Sequence, residues 1–149
     1  MEDQNPLQSC LFYLVIDKKA ILTQENLKKR KFSLCSRCYL CGEQIETVSH
    51  LFLQCRTTTQ LWRIFVSLRG ISWVMPNKIT HLLYSWEEAG VGAADKDRWR
   101  IVPACIWWTI CMERNSRCFE SKNCDLQMVK LNCIKTFCFW CKQIYFRGH

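Results

Sequence analysis

The sequence contains no hydrophobic run long enough to span a bilayer. Its longest, Ile101 to Met112, falls well short of the roughly 20 residues a membrane helix needs. Nor does it open like a secretory leader. The start, Met1-Glu-Asp-Gln-Asn-Pro6, is acidic where a leader is basic, and the apolar run Cys10 to Ile16 stops at Asp17-Lys18-Lys19 without a small-residue cleavage site. Also missing are a glycine-rich phosphate loop, a paired acidic motif for catalytic magnesium, internal repeats and low-complexity tracts. These absences predict an intracellular protein of nucleus or cytoplasm, with no membrane partner, no small-molecule substrate and no enzymatic activity.

What is present is globular in composition. In 149 residues, 49% are hydrophobic and 23% charged, which suits one core, or a small module with a helical extension, and not a disordered chain. Seven Trp require burial or a partner. Twelve Cys would suggest a disulfide scaffold in a secreted chain, but in a reducing compartment they read as free thiols or metal ligands.

One stretch combines these signals, Cys35-Ser-Arg-Cys38-Tyr-Leu-Cys41-Gly42 through His50 to Cys55. Read as Cys38-x2-Cys41-x8-His50-x4-Cys55, it offers three thiolates and an imidazole, a full tetrahedral set for a closed structural zinc site. Spacing alone equally allows Cys35 and Cys38 as the first pair. Gly42 directly after Cys41 and the shorter span to His50 favour Cys38 with Cys41, since a tight turn can aim both sulfurs at one ion. On a continuous helix His50 and Cys55 would diverge by about 140°, so a break between them is expected.

The formal charge of +8 is concentrated around this stretch. From Lys18 to Arg56, eight Lys or Arg outnumber three Glu, and a phosphate backbone is the natural polyanionic partner. If RNA or DNA binds, Lys28, Lys29, Lys31, Arg37 and Arg56 are the candidate phosphate contacts and Tyr39 a candidate base-stacking ring. Helix capping offers a plainer account of the lysines. Thr23 caps Gln24 to Arg30, and Lys28, Lys29 and Arg30 then fall in the last turn, where the macrodipole favours cations.

The remaining periodicity is helical throughout, so the fold class is mainly α, about six helices with a small zinc knuckle between the second and third. A first helix covers Leu7 to Ile16 and a short one starts at Thr47. Thr57-Thr-Thr-Gln60 has the capping-box pattern before Leu61, Trp62, Phe65 and Leu68, and Gly70 ends that helix. Asn77 is expected to cap a helix to about Glu88, and Asp95 or Asp97 the longest one, to about Phe119. Apolar nearly all round, the longest should be central. Asp125 is expected to cap the last. The chain divides into 1–70, carrying the zinc site, and 71–149, a Trp- and Cys-rich helical region packed on it.

Other candidates are weaker. Cys138-x2-Cys141 sits in a helix with a packing period, where buried thiols behave as small hydrophobes. His81 reads as an ordinary helical histidine. A catalytic zinc keeps an open position for water, but four protein ligands close the shell.

Cys38-Tyr-Leu-Cys41-Gly-Glu, Glu46-Thr47-Val-Ser-His50-Leu51-Phe52-Leu-Gln-Cys55 and Leu61-Trp62 resemble the zinc-binding domain of plant reverse transcriptases, found in LINE-type, non-LTR retrotransposon polyproteins. Leu22 to Arg30 resembles its lead-in helix. Ile106-Trp107-Trp108-Thr-Ile110 and Glu113-Arg114-Asn115-Ser-Arg117-Cys-Phe119 resemble the helical tail often attached to it, although Tyr13 and Cys111 stand where Trp is expected. The resemblance implies that Cys38, Cys41, His50 and Cys55 bind zinc, with Cys35 outside the set. It further implies a non-catalytic module contacting RNA or DNA, or one that holds a polymerase core or another protein through its Trp-rich helices.

Overall fold

The computed structural model of the protein describes residues 37–90, 92 and 95–147. The helices expected at Leu7 to Ile16 and Gln24 to Arg30 lie outside these residues. Within them the fold is mainly helical, as the periodicity predicts. A π-helical turn covers His50–Gln54, followed by α1 (Arg56–Arg69), α2 (Ile79–Ala89), α3 (Lys96–Phe119) and α4 (Leu126–Arg147). Among the described residues the only β-pairing is a single antiparallel bridge between Arg37 and Ile45.

α3 is the central element. Its buried residues, from Trp99 through Val102, Ile106 and Ile110 to Arg114, lie on every side, and it touches the π-turn and the other three α-helices. Pro103 is accommodated in its second turn. One hydrophobic cluster runs from Cys38 and Leu40 through Trp62, Trp86 and Trp107 to Val129, Cys133 and Trp140, drawing on both sides of position 70. No described helix is long and apolar enough to cross a membrane.

Indole rings organise that core. Trp86 and Trp99 stack with centroids 4.0 Å apart and planes 2° apart, and each indole N–H donates to the other residue's carbonyl, at 2.8 and 2.7 Å. Trp62 meets Trp86 and Trp107 edge-on. Each ring thus buries its large apolar body while its one polar atom finds an acceptor.

Two helix ends form as the sequence predicts. Gly70, at φ 73°, closes α1, with its N–H and that of Ile71 donating to Val66 O. Asp125 Oδ1 accepts from Met128 N–H at 2.8 Å, capping α4. Asp95 takes the N-cap position of α3 but makes no side-chain cap hydrogen bond, and two other caps also differ. α1 starts at Arg56 with Cys55 before it and no side-chain cap, so the Thr57 capping box does not form. Instead Thr58 Oγ1 donates to Leu51 O at 2.6 Å and Thr59 Oγ1 to Arg56 O. Lys78, not Asn77, precedes α2, and Gln54 Nε2 donates to the Asn77 side chain at 3.5 Å.

Candidate metal centre

The knuckle begins with a tight reversal. Gly42 N–H donates to Cys38 O and Cys38 N–H to Gln44 O, both at 2.8 Å, while Gly42 takes φ 71°, a conformation that favours glycine. Two backbone N–H groups then point at sulfur, Leu40 at Cys38 Sγ (3.4 Å) and Glu43 at Cys41 Sγ (3.5 Å). Both ligand thiols therefore face the inside of one turn.

The other two donors come from the π-turn. Thr47 Oγ1 accepts from His50 N–H at 3.0 Å, fixing the start of the turn. Cys55 N–H then donates to His50 O, five residues back, and Cys55 leaves the turn with extended ψ 138°. The widened turn followed by an extended residue is the break that the spacing required, and it brings His50 and Cys55 to the same side.

This winding leaves carbonyls without helical partners. Leu51 O is satisfied by Thr58, and Phe52 O accepts from both Trp62 Nε1 (3.0 Å) and Trp107 Nε1 (3.2 Å). The demand of these carbonyls explains why the Thr58 hydroxyl turns back toward the π-turn.

Together the four donor atoms of Cys38, Cys41, His50 and Cys55 lie within 4.8 Å of one another. Cys38 Sγ and Cys55 Sγ are 3.9 Å apart, and Cys41 Sγ lies 3.3 Å from His50 Nε2. Zn–S bonds of roughly 2.3 Å and Zn–N bonds of roughly 2.0–2.1 Å give tetrahedral edges of roughly 3.5–3.8 Å. The donor set therefore fits a tetrahedral ion once its widest edge contracts by about 1 Å. Cys35, the alternative first ligand on spacing, lies outside the described residues, and the set that converges contains both Cys38 and Cys41.

Local electrostatics favour the ligand forms of two donors. The Cys55 thiol is pushed below its ordinary range by the hydrogen bond from Cys38, against the effect of burial, and the N–H groups of Thr57 and Thr58 add to the lowering. Cys38, sharing that bond and buried, is pushed up, so in the metal-free pair the proton stays on Cys38. Burial lowers His50, with Glu46 opposing, which favours the neutral imidazole a metal requires.

The polar contacts proposed from sequence are less concentrated. Lys28, Lys29 and Lys31 lie outside the described residues. Arg37 is exposed and donates to Gly42 O at 3.1 Å, and Arg56 pairs with Glu43 at 3.1 Å, both side chains over half exposed. An open cleft of about 680 Å³ is lined by Arg56 and Glu43, by the ligands Cys41 and His50, and by Gln44, Thr47, Gln54 and Asn77 among others. The Tyr39 ring already has the Arg114 guanidinium over it, 5.1 Å from its centroid.

Arg114 and Glu46 were missed as site residues. Both side chains are fully buried, and Arg114 Nη2 and Nε donate to Glu46 Oε1 at 2.9 and 3.2 Å. The signal in the sequence was their membership of two motifs, Glu46-Thr47 before the histidine and Glu113-Arg114 in the long helix. Nothing in either motif says that they meet.

No curated protein and no solved structure matches the chain. A family model does, and its span takes in all four converging ligands: residues 2–62 match the family described as zinc-binding in reverse transcriptase.

Proposed function

We propose that Cys38, Cys41, His50 and Cys55 hold one zinc ion in a closed, non-catalytic site, and that the knuckle so fixed contacts RNA or DNA as a module derived from a retrotransposon polyprotein. The observation that carries the metal assignment is the convergence of four soft or borderline donors from two short backbone turns. With four protein ligands no position is left for an activated water, so the ion supplies cross-linking and not hydrolysis.

The nucleic-acid role is supported by charge and by chemistry at the rim. The chain carries a formal +8, Arg37 and Arg56 flank the knuckle in exposed positions, and the cleft beside Cys41 and His50 is lined by Arg56 and by amide and hydroxyl side chains together with Glu43 and Ile45. Binding to single-stranded and duplex RNA and DNA should weaken steeply as salt rises, because neutralised phosphates release counterions. An affinity indifferent to salt would overturn this reading.

A protein-interaction role, with zinc only stabilising the fold, has its own support. Trp108, Met112, Met128, Leu131 and Phe139 on α3 and α4 are each at least 40% exposed and offer apolar side chains to a partner. Absence of nucleic-acid binding at low salt favours this second role. An intracellular, reducing setting suits both, since it keeps the thiolates available to metal.

A further inference from the structure

The two residues between the first ligand pair, Tyr39 and Leu40, are held from α3 as well as from within the knuckle. Arg117 Nη1 donates to Tyr39 O at 3.3 Å and to Leu40 O at 3.2 Å, across 78 and 77 residues of sequence. Tyr39 N–H donates to Glu46 Oε2 at 3.2 Å, and the other oxygen of that carboxylate is gripped by Arg114, 68 residues away. Arg117 is itself held, by Glu113 Oε2 at 2.6 Å and by Cys124 O at 3.0 Å. Glu113 Oε2 also accepts from Cys124 N–H at 2.9 Å, tying this group to the segment that leads into α4.

The planes of these peptides decide where the ligands point. The Leu40 N–H aimed at Cys38 Sγ belongs to the peptide whose carbonyl is Tyr39 O, and the Leu40 carbonyl belongs to the peptide that leads into Cys41. A guanidinium suits this task because its planar fork of donors serves several acceptors in fixed directions. Nothing in the ligand spacing itself would hold these planes before the metal arrives.

From this geometry we infer that Arg117, with Arg114 acting through Glu46, is a positioning residue for the metal site. α3 pre-orders the Cys38–Cys41 turn, so the entropy of fixing it is lost when the helical body folds and not when the ion binds. The inference rests on the proposed zinc site and extends it. The complete metal-binding unit runs to Cys124, and a segment ending at residue 62, where the family match stops, lacks both arginines.

The test uses the full chain and two probes, zinc affinity by competition with a chromophoric chelator and the visible spectrum of the Co²⁺-substituted protein. Arg117→Met should lower zinc affinity about 10- to 100-fold, the usual size for loss of outer-sphere support, and should weaken or shift the tetrahedral Co²⁺ bands. The double variant Glu46→Gln with Arg114→Met, which leaves no lone buried charge, should act in the same direction and serves if Arg117→Met folds poorly. Phe137→Ala, in the Phe65–Phe137 contact between α1 and α4, is the structural control, expected to lower stability and leave the Co²⁺ spectrum unchanged. Wild-type protein that binds no zinc would defeat the zinc assignment itself. Wild-type protein that binds zinc, with both variants matching its affinity and spectrum, would overturn the inference alone.

Discussion

The knuckle and the helical body are stabilised in different ways. Between Arg37 and Cys55 there is one β-bridge, one π-turn and a set of metal donors, and Glu43, Gln44 and Ile45 stand exposed. From α1 to α4 the chain contributes stacked and edge-on indoles, with core positions fully removed from water. Leu51, Phe52 and Leu53 anchor the π-turn in the shared core, whereas the exposed stretch from Gly42 to Ile45 would be closed by an ion at the four donors. The two meet at Glu46–Arg114 and at Phe52 O, where the indoles of Trp62 and Trp107 complete the π-turn.

The sharpest way to separate these regions is to remove the metal. Apparent zinc binding energies of about 10–16 kcal/mol in small modules are folding energies. Chelation should therefore lower the melting temperature and loosen the knuckle first, as read by hydrogen exchange at Leu40 and Glu43. Cys41→Ser combined with His50→Ala should abolish stoichiometric metal, and metal analysis that finds one zinc per chain in this variant would break the comparison. Next in size are changes at the junction and in the body. Glu46→Ala leaves the Arg114 charge buried and alone, which should cost about 3–5 kcal/mol in denaturant unfolding of metal-loaded protein. Trp107→Ala should cost a similar ~3–5 kcal/mol, from cavity formation and a lost donor to Phe52 O.

Smaller effects test the edges of each region. Asp125→Ala removes the α4 cap and should cost about 1 kcal/mol by thermal unfolding, with zinc content unchanged. Arg56→Ala breaks an exposed pair with Glu43 and should change stability by less than about 1 kcal/mol. If the knuckle meets phosphate, the same change should reduce the salt slope of nucleic-acid binding by about one contact. An unaltered slope would remove Arg56 from the interface.

Much of this was legible locally. The ligand spacing, the glycine after Cys41 and the need for a break between His50 and Cys55 all follow from the reach and period of the backbone, and each has its counterpart in the structure. Gly70 and Asp125 act as the local capping rules say. Thr57 and Asn77 do not, because capping rules consider only the helix that follows. α1 already begins at Arg56, directly after the π-turn, so Thr57 lies inside the helix, and the last residue of that turn, Gln54, donates to the Asn77 side chain. The structure keeps the Tyr39 ring beside Arg114, a partner the sequence placed in a distant helix.

By itself the sequence determined which four side chains have the right chemistry and separation to share an ion, because those limits are set within 18 residues of chain. It also determined that α3, apolar nearly all round between Ile101 and Met112, would lie at the centre. Only the tertiary structure decided which distant side chains join the local hydrogen bonds in holding the Cys38–Cys41 turn. Arg114 and Arg117 reach it from 68 to 78 residues away, and no local rule of spacing, capping or period can register a contact that exists only once α3 has packed against the knuckle. The two cysteines stand out in the sequence as a metal motif, while the arginines that set the peptide planes between them look there like ordinary helix charges.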